Sequence, residues 1–570
     1  MKFSAVVITV LLAVGVASAA PPNVLLVITD DQGYGDLGFH GNPVIRTPNL
    51  DKFAGQSARL KNFYVSPVCS PTRSSLLTGF YNYRTGIVDT FIGRSLMRPD
   101  VPTLPEALAK AGYRTGLFGK WHLGDNYPLR PEDRGFQETL WSQGGGIAQP
   151  SDPPGGNSYF DPILKKNGKE VKTKGYCTDV FTDGAVEFME AKSDKPFFAY
   201  VAYNCPHGPY QVPPALVEPF KKLDLTAAGF PKIGQPWATP KMSIEEIAKA
   251  YGMIENIDTN FARMLKLIDE KYPNTLVIFL TDNGPGGVRF NGGLRNRKGT
   301  VYEGGIRVPC FVRTPTTDPT GHDIETPLAH IDLTPSILDA CDVKTETPFD
   351  GRSAWTLIAN RPGNWAGRTL FFQWHRGDQP EKFRSFAARG PKYKLVQATG
   401  VAPGKAPAPR YELFDLSTDP FEQTDLAAKL PDEVASLKHQ YETWFADVTK
   451  KGFDPPRIVI GNDKENPVRL SRQDWRGPNA GWEKDSKGHW LVRIEKDGMY
   501  RVTVHSNSEY RIYELTIGGK TTGQGSTVLH KSDSEVLTLK AGDNLVSCDV
   551  TLDGKSRGVD YLVFERVPGK

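Results

Sequence analysis

Residues 23–33 read NVLLVITDDQG, Asn23 to Gly33, and this stretch decides the fold. Five aliphatic residues follow one another without the polar alternation of a half-solvated strand. Such a run suits a parallel strand covered on both faces. It ends in Asp30-Asp31-Gln32-Gly33. The run TLVIFLTDNG, Thr275 to Gly284, repeats the design and ends in Asp282-Asn283. Tyr113–Phe118 and Pro196–Tyr203 are two further buried strands of this kind. Helical patterns lie between them. Leu104–Ala111 opens with Thr103 and Pro105 in capping positions, and Met242–Lys271 opens with a Ser243/Glu246 capping box. Strands alternating with helices predict a doubly wound, mostly parallel α/β domain over residues 20–365.

Each buried strand hands over to chemically active residues. Beside the two acidic ends, Phe118 leads into Gly119-Lys120-Trp121-His122, and Tyr203 into Asn204-Cys205-Pro206-His207. In an open parallel sheet these ends line one crevice, where such folds place ligands. Asp30, Asp31, Asp282 and Asn283 are hard oxygen donors, suited to Ca²⁺ first and Mg²⁺ second rather than to zinc. Three adjacent carboxylates without a cation would repel one another. Read separately, Asp30 and Asp282 are also ordinary helix caps. Lys120, His122, His207 and Lys298 add positive charge and proton donors, which together fit an anionic ester.

The whole-chain totals allow a buried core and argue against wholesale disorder. The 570 residues are 39% hydrophobic and 24% charged, with a net charge of +4, which gives no reason to expect nucleic acid as a partner. Lys2, the apolar run Ala5–Val16 and the small residues Ala17-Ser18-Ala19 predict a cleaved leader over residues 1–19, hence export to a periplasm or the medium. No later segment is long and apolar enough to span a bilayer. Six cysteines make no disulfide scaffold and no CxxC metal motif, and their spacing leaves any pairing open.

Beyond residue 365 the pattern changes. Short strands at 369–374, 393–397 and 411–415 precede an amphipathic stretch from Asp432 to Val448, which predicts a small antiparallel α+β subdomain over 366–452. From 465 to 570 alternation with turns at Asp497-Gly498 and Asp553-Gly554 predicts an all-β sandwich. Its Trp475, Trp482 and Trp490 form either a sugar-stacking face or part of its core. Residues 125–175 read as a loop-rich excursion with one hairpin turn at Asn167-Gly168, serving substrate selection or mere decoration.

One stretch remains, SPVCSPTRSSLLTG from Ser66 to Gly79. Ser70 with Pro71 in the first turn opens a helix, which puts Cys69 at its positive end and lowers the thiol pKa. Arg73 lies one turn along. A thiolate nucleophile or a buried structural cysteine are the plain readings, yet a soft thiolate suits a hard-cation site poorly. An oxygen nucleophile would suit it better.

Here the chain resembles the type I sulfatase family. Cys69-Ser-Pro-Thr-Arg73 matches the C-x-P-x-R signature, with Thr72 where many members have Ser, and Leu76-Leu-Thr-Gly79 follows. Asp30-Asp31-x-Gly33, Gly119-Lys-Trp-His-Leu-Gly124, Pro206-His207-x-Pro209, Thr281-Asp-Asn-Gly284, Lys298-Gly-Thr-x-Tyr-Glu-Gly-Gly305 and Tyr411-Glu-Leu-Phe-Asp-Leu416 resemble family motifs in the usual order. The resemblance implies an alkaline-phosphatase-like fold and hydrolysis of sulfate esters. It implies that a separate maturation enzyme oxidises Cys69 to formylglycine, whose hydrate attacks sulfur. It further implies a divalent cation, Ca²⁺ foremost, on Asp30, Asp31, Asp282, Asn283 and residue 69. Lys120, His207 and Lys298 would hold the sulfate, with His207 or Lys298 protonating the leaving group. Asp282 and His122 would serve as bases, and Arg73 would orient the nucleophile.

The domain layout suggests a sulfated carbohydrate as substrate. A phosphate or phosphonate ester hydrolase of the same superfamily is the nearest alternative, and a glycan-binding protein without catalysis the next.

Overall fold

A ten-stranded sheet organises the described residues between Asn23 and Ile324. Its strand order is His322–Ile324, Ala58–Leu60, Cys310–Arg313, Thr275–Thr281, Asn23–Thr29, Phe197–Ala202, Arg114–Lys120, Glu138–Ser142, Ile163–Lys166 and Lys169–Lys172. The five strands from Thr275–Thr281 to Glu138–Ser142 are parallel. The computed structural model describes residues 20–153, 156–235, 242–315, 321–363 and 365–568. The leader expected over residues 1–19 lies outside them.

The unbroken aliphatic run of the central strand has a simple cause. Leu25 and Val27 pack in one hydrophobic layer with Phe181, Phe261 and Met264 of the helices Cys177–Glu190 and Ile244–Lys271. Val24, Leu26 and Ile28 pack in the other with Leu76, Leu77, Leu108 and Leu338. Successive side chains point to opposite faces, and both faces are covered. The expected capping box forms at Ser243/Glu246, and Thr103, expected as a cap, makes a second box with Glu106.

The excursion over 125–175 is more ordered than its sequence suggests. It contributes the parallel strand Glu138–Ser142, whose Glu138-Thr139 start hides it from a search for aliphatic runs. The Asn167-Gly168 turn forms as expected, with φ of 50° and 79°.

Strands Leu370–Gln373, Phe386–Arg389, Tyr393–Gln397 and Glu412–Asp415 make an antiparallel sheet that packs with the helix Pro431–Thr449. Its core is continuous with Tyr64, Val301 and Ile306 of the first part. Lys394 is fully buried there and bonds both Glu303 (2.8 Å) and Glu422 (2.9 Å).

The last β unit is all-β, as expected. Its strands form one hydrogen-bonded sheet of eight, folded over a single core. The fold-over is made by the hairpin Gly498–Ile517/Lys520–Leu539, whose register shifts between His505 and Tyr510. Before the shift its first strand pairs with Tyr561–Val567, and after it with Gly542–Leu552. Trp475 and Trp490 are core residues at 0% exposure, and Trp482 packs edge-on against Phe91, so the three form no sugar-stacking face. The unit grips the loop 89–95: Gly93 N–H donates to Gln473 O (2.8 Å), Gln473 Nε2 to Thr90 O (2.9 Å), and Ile92 joins its core.

Candidate active site

Register brings the acidic strand ends together. Thr29 pairs with Thr281 and Ile28 with Ala202, so three parallel strands end at one level. Asp282 N–H donates to Thr29 O and Asp30 N–H to Cys205 O, both at 3.1 Å. Gly284 then turns where the chain passes close to another backbone: a Cβ there would lie 1.9 Å from Gly304 O. Asp31 holds a left-handed φ of 64°, uncommon for a residue with a side chain. Its carbonyl accepts from Arg289 Nη2 (2.8 Å), and Arg289 is itself fixed by the buried carboxylate of Asp36 (2.6 Å). Neither Asp36 nor Arg289 was among the expected site residues.

The helix Cys69–Thr78 is buried along its whole length. It starts two residues earlier than expected. Val68 takes the extended cap position and Cys69 the first helical one, while Ser70 is no cap: its hydroxyl donates to His122 O (2.9 Å). The Cys69 sulfur and one oxygen each of Asp30 and Asp282 lie within 4.8 Å of one another. The expected lowering of the thiol pKa is overturned. Burial pushes it up, and the nearby Lys120 and Lys298 only partly offset this.

Each carboxylate has a basic partner. Lys120 Nζ bonds Asp30 Oδ2 and Lys298 Nζ bonds Asp31 Oδ1, both at 2.5 Å. Arg73 donates to Asp282 Oδ2 from Nη2 (2.8 Å) and Nε (3.1 Å). His207 Nε2 lies 3.8 Å from Asp31 Oδ2. Three carboxylates against three fixed cations balance, so repulsion alone does not call for an ion, contrary to the expectation from sequence. Two orphaned atoms do. Asp30 Oδ1 and Asn283 Oδ1 are buried without a partner, although Asn283 Nδ2 is anchored on Asp31 Oδ1 (2.8 Å). Unpaired buried carboxylate and carboxamide oxygens are the donor set of a hard divalent cation.

The environment separates the acids. Burial opposes the Asp30 carboxylate, but Lys120, His207 and Arg73 outweigh it and hold Asp30 well below its ordinary range. Burial and the charge of Asp30 push Asp282 up to about 7. His122 adopts φ 61° and is kept neutral by burial and by Lys120. Its Nε2 lies 2.6 Å from Thr90 O, an acceptor only, so the proton sits on Nε2 and the unpartnered Nδ1 is the basic nitrogen. All the expected residues, Asp30, Asp31, Cys69, Arg73, Lys120, His122, His207, Asp282, Asn283 and Lys298, thus meet at one rim of the sheet.

Comparison with known proteins agrees with this geometry. The family model described as sulfatase matches residues 22–343, and that described as the C-terminal part of N-sulphoglucosamine sulphohydrolase matches 296–450. The chain is 32% identical over 520 residues to arylsulfatase A of Bos taurus, covering 80% of this chain and 94% of that one. It is 27% identical to arylsulfatase J of Mus musculus, covering 83% and 82%. The crystal structure of Ps i-CgsB in complex with k-i-k-neocarrahexaose superposes with a TM-score of 0.63 at 27% identity, covering 76% of this chain and 95% of that one.

Proposed function

Given that the chain belongs to the sulfatase family and is a sulfuric ester hydrolase, we propose that it removes sulfate from sulfated carbohydrates, using residue 69 in its oxidised formylglycine form beside Ca²⁺. One observation carries the site reading: the Cys69 sulfur, Asp30 and Asp282 converge within 4.8 Å beside the orphaned oxygens of Asp30 and Asn283. The neocarrahexaose bound in the Ps i-CgsB structure supports a carbohydrate substrate.

Asp30, Asp31, Asp282 and Asn283 would hold the ion, which supplies Lewis-acid polarisation of a sulfate oxygen. Oxidised residue 69 would supply the oxygen nucleophile that the buried thiol cannot. Lys120, Lys298 and His207 face the acidic cluster and hold the sulfate oxygens. His207 and Lys298, partly exposed, are placed to return a proton to the departing alcohol. Free Nδ1 of His122 takes a proton at residue 69, and Arg73 orients Asp282. With the charges balanced, a dication leaves the rim net positive, which draws an anionic ester.

The domain division at 20–365, 366–452 and 465–570, export by the 1–19 leader, and a separate maturation enzyme belong to the same proposal. The experiment is a screen of sulfated mono- and oligosaccharides against purified protein, with peptide mass analysis around Cys69. Release of sulfate with an aldehyde at position 69 is expected. An unmodified thiol in fully active protein would overturn the reading.

A further inference from the structure

Asp474 is 3% exposed, and neither of its carboxylate oxygens has a partner among the described residues. It belongs to the last β unit but feels the charge of Asp125, which follows the Lys120–Gly124 segment. Asp125 in turn accepts from Gly144 N–H (2.7 Å), and a Cβ on Gly144 would sit 3.7 Å from that of Asp152. Among the described residues no basic side chain forms an ion pair with Asp125, Asp152 or Asp474. Burial pushes all three carboxyls up, Asp125 to about 6.

This cluster adjoins the reacting centre. Gln473 Nε2 and His122 Nε2 share the Thr90 carbonyl, at 2.9 and 2.6 Å. The glycine run Gly144–Gly146 passes between: a Cβ on Gly145 would lie 2.9 Å from His122 Nε2, and one on Gly146 3.4 Å from His207 Nδ1. Gln149 Oε1 and Gln473 Oε1 are also buried and unpartnered. These atoms are acceptors in want of donors. A second ion is not the donor they await. The acidic groups close enough to share an ion, among the described residues, are those of Asp30, Asp31 and Asp282 with His207 or Cys69. Sugar hydroxyls can donate to and accept from carboxyl and carboxamide groups in either protonation state, whereas an anion here would meet a cluster whose one nearby basic group among the described residues, Lys165, forms no ion pair with it.

Resting on the sulfated-carbohydrate reading, we propose that Asp474 reaches from the last β unit to complete, with Asp125, Asp152 and Gln149, a subsite for a neutral, hydroxyl-rich sugar ring beside the sulfate. The enzyme then selects against a carboxylate or a second sulfate on that face of the ring.

The test uses the full chain and three substrates: a neutral monosulfated sugar, its disulfated counterpart, and 4-nitrophenyl sulfate, which lacks the ring hydroxyls. Wild type should prefer the neutral sugar over the disulfated one by at least about 10-fold in kcat/KM. Asp474→Asn should lower the ratio of sugar-sulfate to aryl-sulfate kcat/KM by about 3–10-fold, through KM, the scale of hydrogen bonds to an uncharged carboxyl. It should also narrow the preference against the second sulfate. Asp125→Asn, read the same way, covers the case in which the first variant does not fold. Parallel loss on sugar and aryl esters, no change on either, or loss of one equivalent of bound calcium would each overturn the subsite. If wild type turns over the aryl ester and no sugar sulfate, the carbohydrate reading itself falls and takes the subsite with it. An active wild type with an indifferent Asp474→Asn sinks the subsite alone.

Discussion

Arg73 gives two N–H groups to a single oxygen of Asp282, Oδ2, at 2.8 and 3.1 Å, and neither side chain reaches solvent. The other oxygen, Oδ1, accepts from the backbone N–H of Asp31 (3.2 Å). The guanidinium therefore sets which carboxylate oxygen stays available at the site. Arg73→Ala leaves a buried carboxylate unpaired, a change that typically costs about 3–5 kcal/mol. Calorimetry should show a lower melting temperature. Arg73→Lys keeps the charge but not the fork, and should lower kcat by roughly 10²–10³ with a smaller loss of stability.

Cys69→Ala removes the group that is oxidised and leaves a small side chain in a buried site. Activity should fall to the residual level set by binding and the cationic residues. Circular dichroism should be unchanged. Near-normal turnover of a sulfate ester by this variant would contradict the assignment.

Prolonged chelation should abolish activity, and added Ca²⁺ should restore it. Calcium should also raise the melting temperature of the metal-free protein in proportion to the logarithm of its concentration. Asn283→Ala removes one orphaned oxygen and should weaken calcium affinity about 10–100-fold, by loss of one ligand oxygen. Equal stabilisation of wild type and Asn283→Ala by calcium would count against the ligand set.

Lys394→Met strands Glu303 and Glu422 in the core without their shared cation. Breaking a buried pair from one side should cost about 3–5 kcal/mol, read by denaturant unfolding. Adding Glu422→Gln, whose carboxyl burial already pushes up to about 7, should recover part of that loss. A variant as stable as wild type would show that the cluster contributes nothing.

His330 gives a pH dependence. It is buried, its Nε2 lies 3.0 Å from Ser66 Oγ, and burial lowers its pKa from 6.5 to about 3. Between those values the unfolded chain binds the proton and the folded one does not. Its contribution to stability is complete above about pH 6.5 and is lost as pH falls toward 3. At pH 4.5 the loss is about 3 kcal/mol, from two pH units at about 1.4 kcal/mol each. His330→Gln should flatten this part of the stability profile measured from pH 7 to 4.5.

The parallel strands and the acidic ends were legible because burial on both faces leaves an unbroken aliphatic run, and the ends follow directly from it. Glu138–Ser142 was not, since its polar start breaks that signal. The pairing of Lys120 with Asp30 and of Lys298 with Asp31 spans 90 and 267 residues and depends on strand order, which no local pattern contains. The thiol pKa was misjudged because the helix start is local and visible, whereas burial is a property of the assembled core. Asp474 carried no signal. Its Gln-Asp-Trp context reads like any turn, and only folding reveals two acceptors without donors.

The grip of the last β unit on loop 89–95 bears on how this protein can be cut or recombined. Truncation after residue 452 would strip Ile92 of its cover and deprive the Thr90 carbonyl of Gln473, next to the histidine that shares it. The shortened chain would report on a damaged centre together with the loss of Asp474, not on a separable sugar-binding module. For the same reason a graft of this unit onto another catalytic domain would need the 89–95 segment transplanted with it.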